Sequence, residues 1–147
     1  MTSAKDCERV GIAVVEYQAC YLVGERPAQA TLAGLAEFPG GRCLPGESFA
    51  VCAERECYEE TGLMVYARRQ LHRCIHRYEH GTCELEFWLC ELHPQSVGVA
   101  PRAPFTWIPA SALTERPFPA ANQAVLQLLL SQRPRPLGID SAVSPGV

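Results

Sequence analysis

Residues 41–63 of the chain read GRCLPGESFAVCAERECYEETGL. The part from 48 to 61 predicts a helix, because Ser48 is a suitable N-cap and Gly62 a suitable C-terminal stop. On an ideal helix, three glutamates of this segment fall within an arc of about 120°. They are Glu56, Glu59 and Glu60. The sequence therefore places three carboxylates on one side of one helix.

This cluster of carboxylates is locally unfavourable. Like charges at i, i+3 and i+4 repel, and anions in the last turns oppose the negative end of the helix dipole. Arg55 offsets one charge through its i, i+4 relation to Glu59, which leaves an excess of negative charge. Acidic runs on surface helices more often form a solvated face. The alternative is a bound cation, and clustered oxygen ligands suit magnesium, which completes its shell with water and substrate phosphates.

The residues around the glutamates decide between these two interpretations. They fit the pattern G-x5-E-x7-R-E-U-x-E-E-x-G-U, where U is apolar. The positions that match are Gly41, Glu47, Arg55, Glu56, Cys57, Glu59, Glu60, Gly62 and Leu63. The pattern resembles the Nudix box, in which the position of Cys57 is usually Leu, Ile or Val. By this resemblance the chain is identified as a Nudix hydrolase.

The resemblance implies an α/β fold, an α/β/α sandwich with a mixed central β-sheet and a loop-helix-loop catalytic motif. The implied reaction is hydrolysis of a diphosphate linkage in a small nucleotide substrate, with Mg²⁺ as the cofactor and Mn²⁺ able to substitute. Glu56, Glu59 and Glu60 would be metal ligands. The carbonyl of Gly40 or Gly41 would join them, and the Gly41 carbonyl is the one we assign.

The resemblance also implies roles within the motif. Glu59 and Glu60 would act in catalysis, with Glu59 as a third metal ligand or as the activator of water. Arg55 would orient a carboxylate. Gly41, Glu47 and Gly62 would be structural, and Glu47 would brace the loop.

Further segments resemble the MutT branch of this family. They are EFPGG at 37–41, FWL at 87–89 and FPAAN at 118–122. That branch hydrolyses nucleoside triphosphates to monophosphate and pyrophosphate and includes enzymes that act on 8-oxo-dGTP. The implied substrate-binding residues are Arg26, Glu37, Phe38 and Asn122, of which Asn122 would read the base edge. Asn122 also stands where a helix begins, so an N-cap is an equal interpretation.

The chain departs from the branch in the loop 93–104, which reads HPQSVGVAPRAP and contains no acidic residue. The branch often places a carboxylate there as a metal ligand or base. Glu59 would therefore act alone as the base, or Glu79 or Glu84 would reach into the site. The position of the general base stays open.

Other functions are compatible with the same motif. A pyrimidine triphosphate such as CTP or 5-methyl-dCTP, or an ADP-ribose-type dinucleotide, would undergo the same phosphate chemistry. A Nudix domain that binds a nucleotide without hydrolysing it belongs to a different functional class. Such domains usually lose carboxylates of the box, and this chain keeps all three, which favours catalysis.

The remaining segments complete the expected fold. Strands are predicted at 9–15, 20–23, 64–78, 83–92 and 105–108, with a turn at His80 and Gly81. Pro39 and the two glycines after it are expected to stop regular structure. A second helix is predicted over 121–132, with Val125, Leu128 and Leu129 on one face. We expect a single domain over 1–133 and a disordered Pro/Gly-rich tail over 134–147.

Composition restricts the classes of binding partner and the cellular compartment that we expect. The chain has 147 residues, 48% hydrophobic and 20% charged, which fits one compact core. Its formal net charge of −3 argues against long nucleic acid as a partner.

We see no signal peptide and no apolar run of membrane length, and we expect a cytoplasmic protein with reduced thiols and no membrane partner. No two of the eight cysteines form a C-x-x-C pair, which argues against zinc. The sequence leaves the oligomeric state open.

Overall fold

The computed structural model of the chain describes residues 7–29, 33–79 and 81–131. Its centre is a mixed sheet. The strands are β1 (Cys7–Tyr17), β2 (Cys20–Glu25), β3 (Ala36–Glu37), β4 (Gly40–Arg42), β5 (Val65–Tyr78), β6 (Gly81–Leu92) and β7 (Thr106–Pro109). The two α-helices are α1 (Phe49–Thr61) and α2 (Gln123–Ser131).

The order of the main strands is β3-β2-β1-β6-β5, with β4 paired to β1 and β7 paired to β2. β1 and β2 form an antiparallel hairpin, and the φ angles of its turn residues Gln18 and Ala19 are 51° and 63°. Positive φ at both central residues matches the twist of a two-residue hairpin. β1 and β6 run parallel, whereas β5 and β6 are antiparallel. The sheet is therefore mixed.

The two helices cover opposite faces of this sheet. Successive residues of β1 alternate between two core clusters, as expected for a strand. Ala13 and Val15 pack with Ala53 and Cys57 of α1. On the other face lies a second set of buried residues, which includes Val14, Phe87, Val125, Leu126 and Leu129. The layers are helix, sheet and helix, which confirms the predicted α/β/α sandwich.

The predicted limits of α1 are confirmed in atomic detail. The Ser48 hydroxyl accepts a hydrogen bond from the Val51 N–H at 3.1 Å. Gly62 has a φ of 81°, and its N–H donates to the Tyr58 carbonyl at 2.9 Å. Ordinary L-residues rarely adopt that φ, so glycine ends the helix at low cost.

The predicted second helix begins too early. α2 starts at Gln123, after a 3-10 turn over Ala120–Asn122 whose preceding residue is Pro119. The helix is therefore shorter at its start, and Gln132 lies outside the described residues. Val125 and Leu129 are buried as predicted, but Leu126 is buried with them while Leu128 is only partly buried.

The predicted strands all exist, although their limits differ by one or more residues at most ends. The expectation that the glycines after Pro39 would interrupt regular structure is wrong, because Gly40 and Gly41 lie in β4 and pair with Ile12 and Gly11. His80 of the predicted turn and the predicted tail 134–147 lie outside the described residues. Within the described part of the chain, no helix is long and apolar enough to cross a membrane.

Candidate active site

Gly11 of β1 allows α1 to lie directly against the sheet. A Cβ atom at this position would lie 2.6 Å from the Phe49 carbonyl oxygen and 3.0 Å from Cβ of Cys52. Contacts that short are not tolerated, so any side chain here would push the start of α1 outward. The close approach brings the carboxylate face of α1 next to β4, which pairs with the same part of β1.

Glu56 and Glu60 lie against the backbone of β4. The Gly40 N–H donates to Glu60 Oε1 at 3.2 Å. A Cβ atom at Gly41 would overlap the Glu56 carboxylate, so this contact also depends on glycine. The Glu56 side chain is 17% exposed, whereas that of Glu59 is 56% exposed. Two carboxylates therefore line the seam between α1 and β4, and the third lies at its solvent rim.

This seam is short of positive charge. The pKa of Glu60 is raised to about 7, mainly by burial and also by the negative charges of Glu56, Glu37 and Glu59, while the Gly40 N–H acts in the opposite direction. A cation among these carboxylates would remove the repulsion. Carboxylate and carbonyl oxygens are the ligands that magnesium prefers. The residues therefore fit a magnesium ion.

Arg55 connects the carboxylates to the preceding loop. Its guanidinium donates to both Glu47 oxygens, at 2.8 and 3.0 Å, in a bidentate arrangement. It also donates to Glu56 at 3.1 Å, to Glu59 at 3.2 Å and to the Arg42 carbonyl at 3.0 Å. Arg55 and the Leu44 N–H together lower the pKa of Glu47 to about 2. One arginine thus links the helix, β4 and the loop.

The Gly41 carbonyl already has a protein partner. The Cys52 thiol donates to it at 3.2 Å, within the seam between α1 and β4. A carbonyl oxygen has two lone pairs, so a second is left for another ligand.

A second group of side chains meets close by, and the sequence reasoning missed it. The ligand atoms of Cys43, Glu47 and Cys52 lie within 4.8 Å of one another. Both oxygens of Glu47 are bonded to Arg55, and burial raises the pKa of the Cys52 thiol to about 12. Such a group suits magnesium less well than the three carboxylates do. The spacing of the two cysteines gave no indication of it, since eight residues lie between them.

The residues assigned to the substrate fall into an ion pair near the carboxylates and an aromatic stack in the core. Arg26 forms an ion pair with Glu37 at 3.1 Å. Burial raises the pKa of Glu37, and Arg26 partly offsets this. Phe38 stacks on Phe118 with ring centroids 5.0 Å apart, and both rings are buried in the core. The negative charge of Glu37 acts on Glu60, so this group and the carboxylates belong to one region.

Asn122 is buried in the 3-10 turn before α2. Its N–H donates to the Pro119 carbonyl at 3.0 Å. Within residues 7–29, 33–79 and 81–131, its side chain makes no hydrogen bond, either to the first turn of α2 or elsewhere. No side-chain hydrogen bond among the described residues therefore supports the interpretation of Asn122 as a helix cap.

The alternative bases proposed outside the motif are not brought into the site. Glu84 is bonded to Arg73 at 2.6 Å, and Glu79 is exposed. The carboxylates whose charges act most strongly on Glu60 are instead Glu56, Glu37 and Glu59. The loop 93–104 instead contributes a cation, Arg102, whose guanidinium donates to the Glu59 carbonyl at 2.6 Å. Sequence reasoning gave no signal for this contact.

Known proteins resemble this chain in sequence and in fold. A family model described as the NUDIX domain matches residues 11–128. The 8-oxo-dGTP diphosphatase of Escherichia coli (strain K12) is 28% identical over 107 residues, which cover 73% of this chain and 83% of that protein. The CTP pyrophosphohydrolase of the same organism is 43% identical over 51 residues, 35% of this chain and 38% of that protein.

Solved structures resemble the whole arrangement of strands and helices. The solution structure of the Escherichia coli ORF135 protein has a TM-score of 0.68 and 25% identity, covering 89% of this chain and 96% of that one. The crystal structure of a MutT NUDIX hydrolase from Burkholderia pseudomallei has a TM-score of 0.68 at 19% identity, covering 82% and 96%, and so shares the fold. Because the family model spans most of the chain and includes the entire carboxylate motif, the chain belongs to the Nudix family and is a Nudix hydrolase.

Proposed function

We propose that this Nudix hydrolase is a magnesium-dependent pyrophosphohydrolase that converts a nucleoside triphosphate to nucleoside monophosphate and pyrophosphate. The observation that carries the proposal is the seam between α1 and β4. Three carboxylates converge there, and burial and mutual repulsion raise the pKa of Glu60 to about 7. Such an arrangement favours a cation and, through it, a phosphate group.

Glu56, Glu59 and Glu60 would hold the ion, together with the second lone pair of the Gly41 carbonyl. When bound, magnesium neutralises charge on the phosphate oxygens of the substrate, and manganese can serve the same purpose. Glu59 is the most exposed of the three carboxylates and is therefore the best placed to accept a proton from the attacking water. Arg55 would keep Glu56 and Glu59 oriented through its hydrogen bonds to both.

For the substrate we favour a purine nucleotide such as 8-oxo-dGTP. Asn122 offers a donor and an acceptor that no hydrogen bond within the described residues uses, and a side-chain amide can pair with adjacent polar atoms on a base edge. A relative that aligns over 73% of this chain is an 8-oxo-dGTP diphosphatase. The Arg26–Glu37 pair would form the neighbouring wall, and the buried Phe38–Phe118 stack would support it from the core.

CTP is the second candidate. The observation that favours it is the 43% identity to a CTP pyrophosphohydrolase, although that match spans only 35% of the chain. A domain that binds a nucleotide without hydrolysis is disfavoured, because Glu56, Glu59 and Glu60 are all retained.

A panel of nucleotides incubated with purified protein and magnesium tests the proposal, with products identified by mass. We expect hydrolysis of a nucleoside triphosphate and faster turnover of 8-oxo-dGTP than of CTP. If CTP is the better substrate, the purine assignment fails while the triphosphate chemistry stands. Hydrolysis of ADP-ribose alone, or tight nucleotide binding without turnover, would overturn the proposed function itself.

Asn122→Ala should reduce the difference in kcat/KM between the preferred base and the other bases. Losing a hydrogen bond in a desolvated pocket costs about 1 to 3 kcal/mol per unsatisfied group, so kcat/KM for the preferred triphosphate should fall roughly ten-fold to a hundred-fold. Hydrolysis of a poor substrate should change little. Gln127→Ala is the matched control, since Gln127 is an exposed amide on α2.

A lower Tm with an unchanged substrate ranking would instead show that Asn122 only supports the start of α2. The base reader would then lie elsewhere.

A further inference from the structure

The loop 93–104 is attached to the end of α1 through both of its ends. Near its start, the His93 N–H donates to the Met64 carbonyl at 2.9 Å, and the Ser96 hydroxyl accepts from the Met64 N–H at 2.9 Å. Near its end, the Arg102 N–H donates to the Thr61 carbonyl at 2.9 Å. Residues on both sides of the helix terminus are therefore held by one loop.

Arg102 adds a side-chain contact to this attachment. Its guanidinium donates to the Glu59 carbonyl at 2.6 Å, across 43 residues of sequence. A Cβ atom at Gly62 would lie 3.6 Å from the same guanidinium, which shows how closely Arg102 follows the helix terminus. The Arg102 carbonyl in turn accepts from the Phe105 N–H at 3.0 Å, and this turn fixes the arginine relative to the core residue Phe105.

The end of α1 needs such a partner for two physical reasons. The last carbonyls of a helix receive no hydrogen bond from an N–H of the same helix, and the helix dipole makes this end negative. α1 has no basic residue in its last turn, yet that turn carries Glu59 and Glu60. Arg102 supplies from another segment both a hydrogen-bond donor and a positive charge.

We infer that Arg102 is a positioning residue for the catalytic helix. By holding the Glu59 carbonyl and the Thr61 carbonyl, it fixes the last turn of α1 and thereby places the Glu59 and Glu60 carboxylates for the cation. The inference rests on the proposed function, since it assigns Arg102 a part in forming that same site. The loop that lacks a carboxylate thus acts on the site through the backbone of α1.

If Arg102 acted only through its charge, its removal would change the metal affinity in the opposite direction. Removing a positive charge near three carboxylates makes the site more negative, which strengthens cation binding. Removing a positioning contact loosens the last turn and weakens cation binding. The direction of the change in metal affinity therefore separates the two roles.

The test compares Arg102→Ala and Arg102→Lys with Arg68→Ala. Arg68 is the matched control, because it is an exposed arginine of β5 that forms a surface ion pair with Glu91. Mn²⁺ binding without nucleotide is measured by electron paramagnetic resonance, and amide hydrogen exchange is measured over residues 57–63. The dependence of kcat and KM on magnesium is measured in parallel.

For Arg102→Ala we expect Mn²⁺ affinity to fall roughly three-fold to ten-fold, as for the loss of one hydrogen bond. Exchange in the last turn of α1 should be faster, and half-maximal activity should need more magnesium, with an unchanged nucleotide KM at saturating metal. Arg102→Lys should recover much of the loss, since an ammonium can donate to the same carbonyl. Arg68→Ala should match the wild type.

Unchanged or tighter Mn²⁺ binding in Arg102→Ala would overturn the inference. A rise in nucleotide KM alone would also overturn it and would assign Arg102 to substrate binding. Should Arg102→Ala not fold, Arg102→Lys carries the same comparison with a smaller expected shift. Mn²⁺ binding and hydrogen exchange require no turnover, so a wild type that hydrolyses no nucleotide would refute the proposed function and leave this test intact.

Discussion

Glu60→Gln should lower kcat by at least about 10²-fold, because it removes charge that stabilises the transition state through the bound cation. The substitution keeps the shape of the side chain, and its amide oxygen can still accept from the Gly40 N–H. Steady-state kinetics at saturating magnesium measures the effect. Glu91→Gln is the control, because Glu91 is an exposed carboxylate at the far end of β6.

The fold should tolerate Glu60→Gln. The direction of the change in stability follows from the pKa of Glu60. Burial raises the pKa of Glu60 in the folded protein to about 7, above the ordinary value of 4.5. The metal-free fold therefore binds this proton more tightly than the unfolded chain does, and it loses stability as the pH rises from 4.5 through 7. The Gln variant lacks this loss, so without metal its Tm at pH 8 should equal or exceed that of the wild type. An active Glu60→Gln variant would refute the metal site.

Arg55→Ala should have the second largest effect. It removes hydrogen bonds to Glu47, Glu56 and Glu59 and to the Arg42 carbonyl, so two carboxylates of the seam lose their orientation. We expect kcat/KM to fall about ten-fold to a hundred-fold. Tm should fall as well, because the Glu47 side chain is only 9% exposed and loses its bidentate partner.

Arg55→Lys separates charge from geometry. Lysine keeps the positive charge but cannot form the paired hydrogen bonds of a guanidinium, so activity should lie between that of the wild type and that of Arg55→Ala. Arg68→Ala should leave both kcat/KM and Tm close to the wild type, since Arg68 lies on β5 and pairs only at the surface. If Arg55→Lys behaves like the wild type, the bidentate geometry is unimportant and Arg55 acts only as a charge.

The parts of the fold that sequence predicted are those with local causes. The cap at Ser48 and the stop at Gly62 each depend on a few neighbouring residues, and both limits of α1 are confirmed. The strand predicted over 83–92 is likewise confirmed, and its alternating residues Leu85, Phe87 and Leu89 pack in the same core cluster. Such signals lie within one element and need no knowledge of what packs against it.

Features that depend on distant partners were not predictable. Gly40 and Gly41 suggest a break when considered alone, yet they pair with β1 as β4, and Gly11 lets α1 bring Glu56 and Glu60 close to them. Arg102 contacts Glu59 across 43 residues, and nothing in the local sequence marks either residue for that contact. The start of α2 was misplaced because a 3-10 turn and an α-helix have similar sequence signals at their first residues.

The identity of the products formed in ¹⁸O-enriched water is the most direct test of the proposed chemistry. With magnesium, a nucleoside triphosphate should give monophosphate and pyrophosphate in equal amounts, with one ¹⁸O in one of the two products, which identifies the attacked phosphorus. Excess EDTA should abolish the reaction, and manganese should restore it. Orthophosphate as the first product, or undiminished hydrolysis in EDTA, would contradict the account.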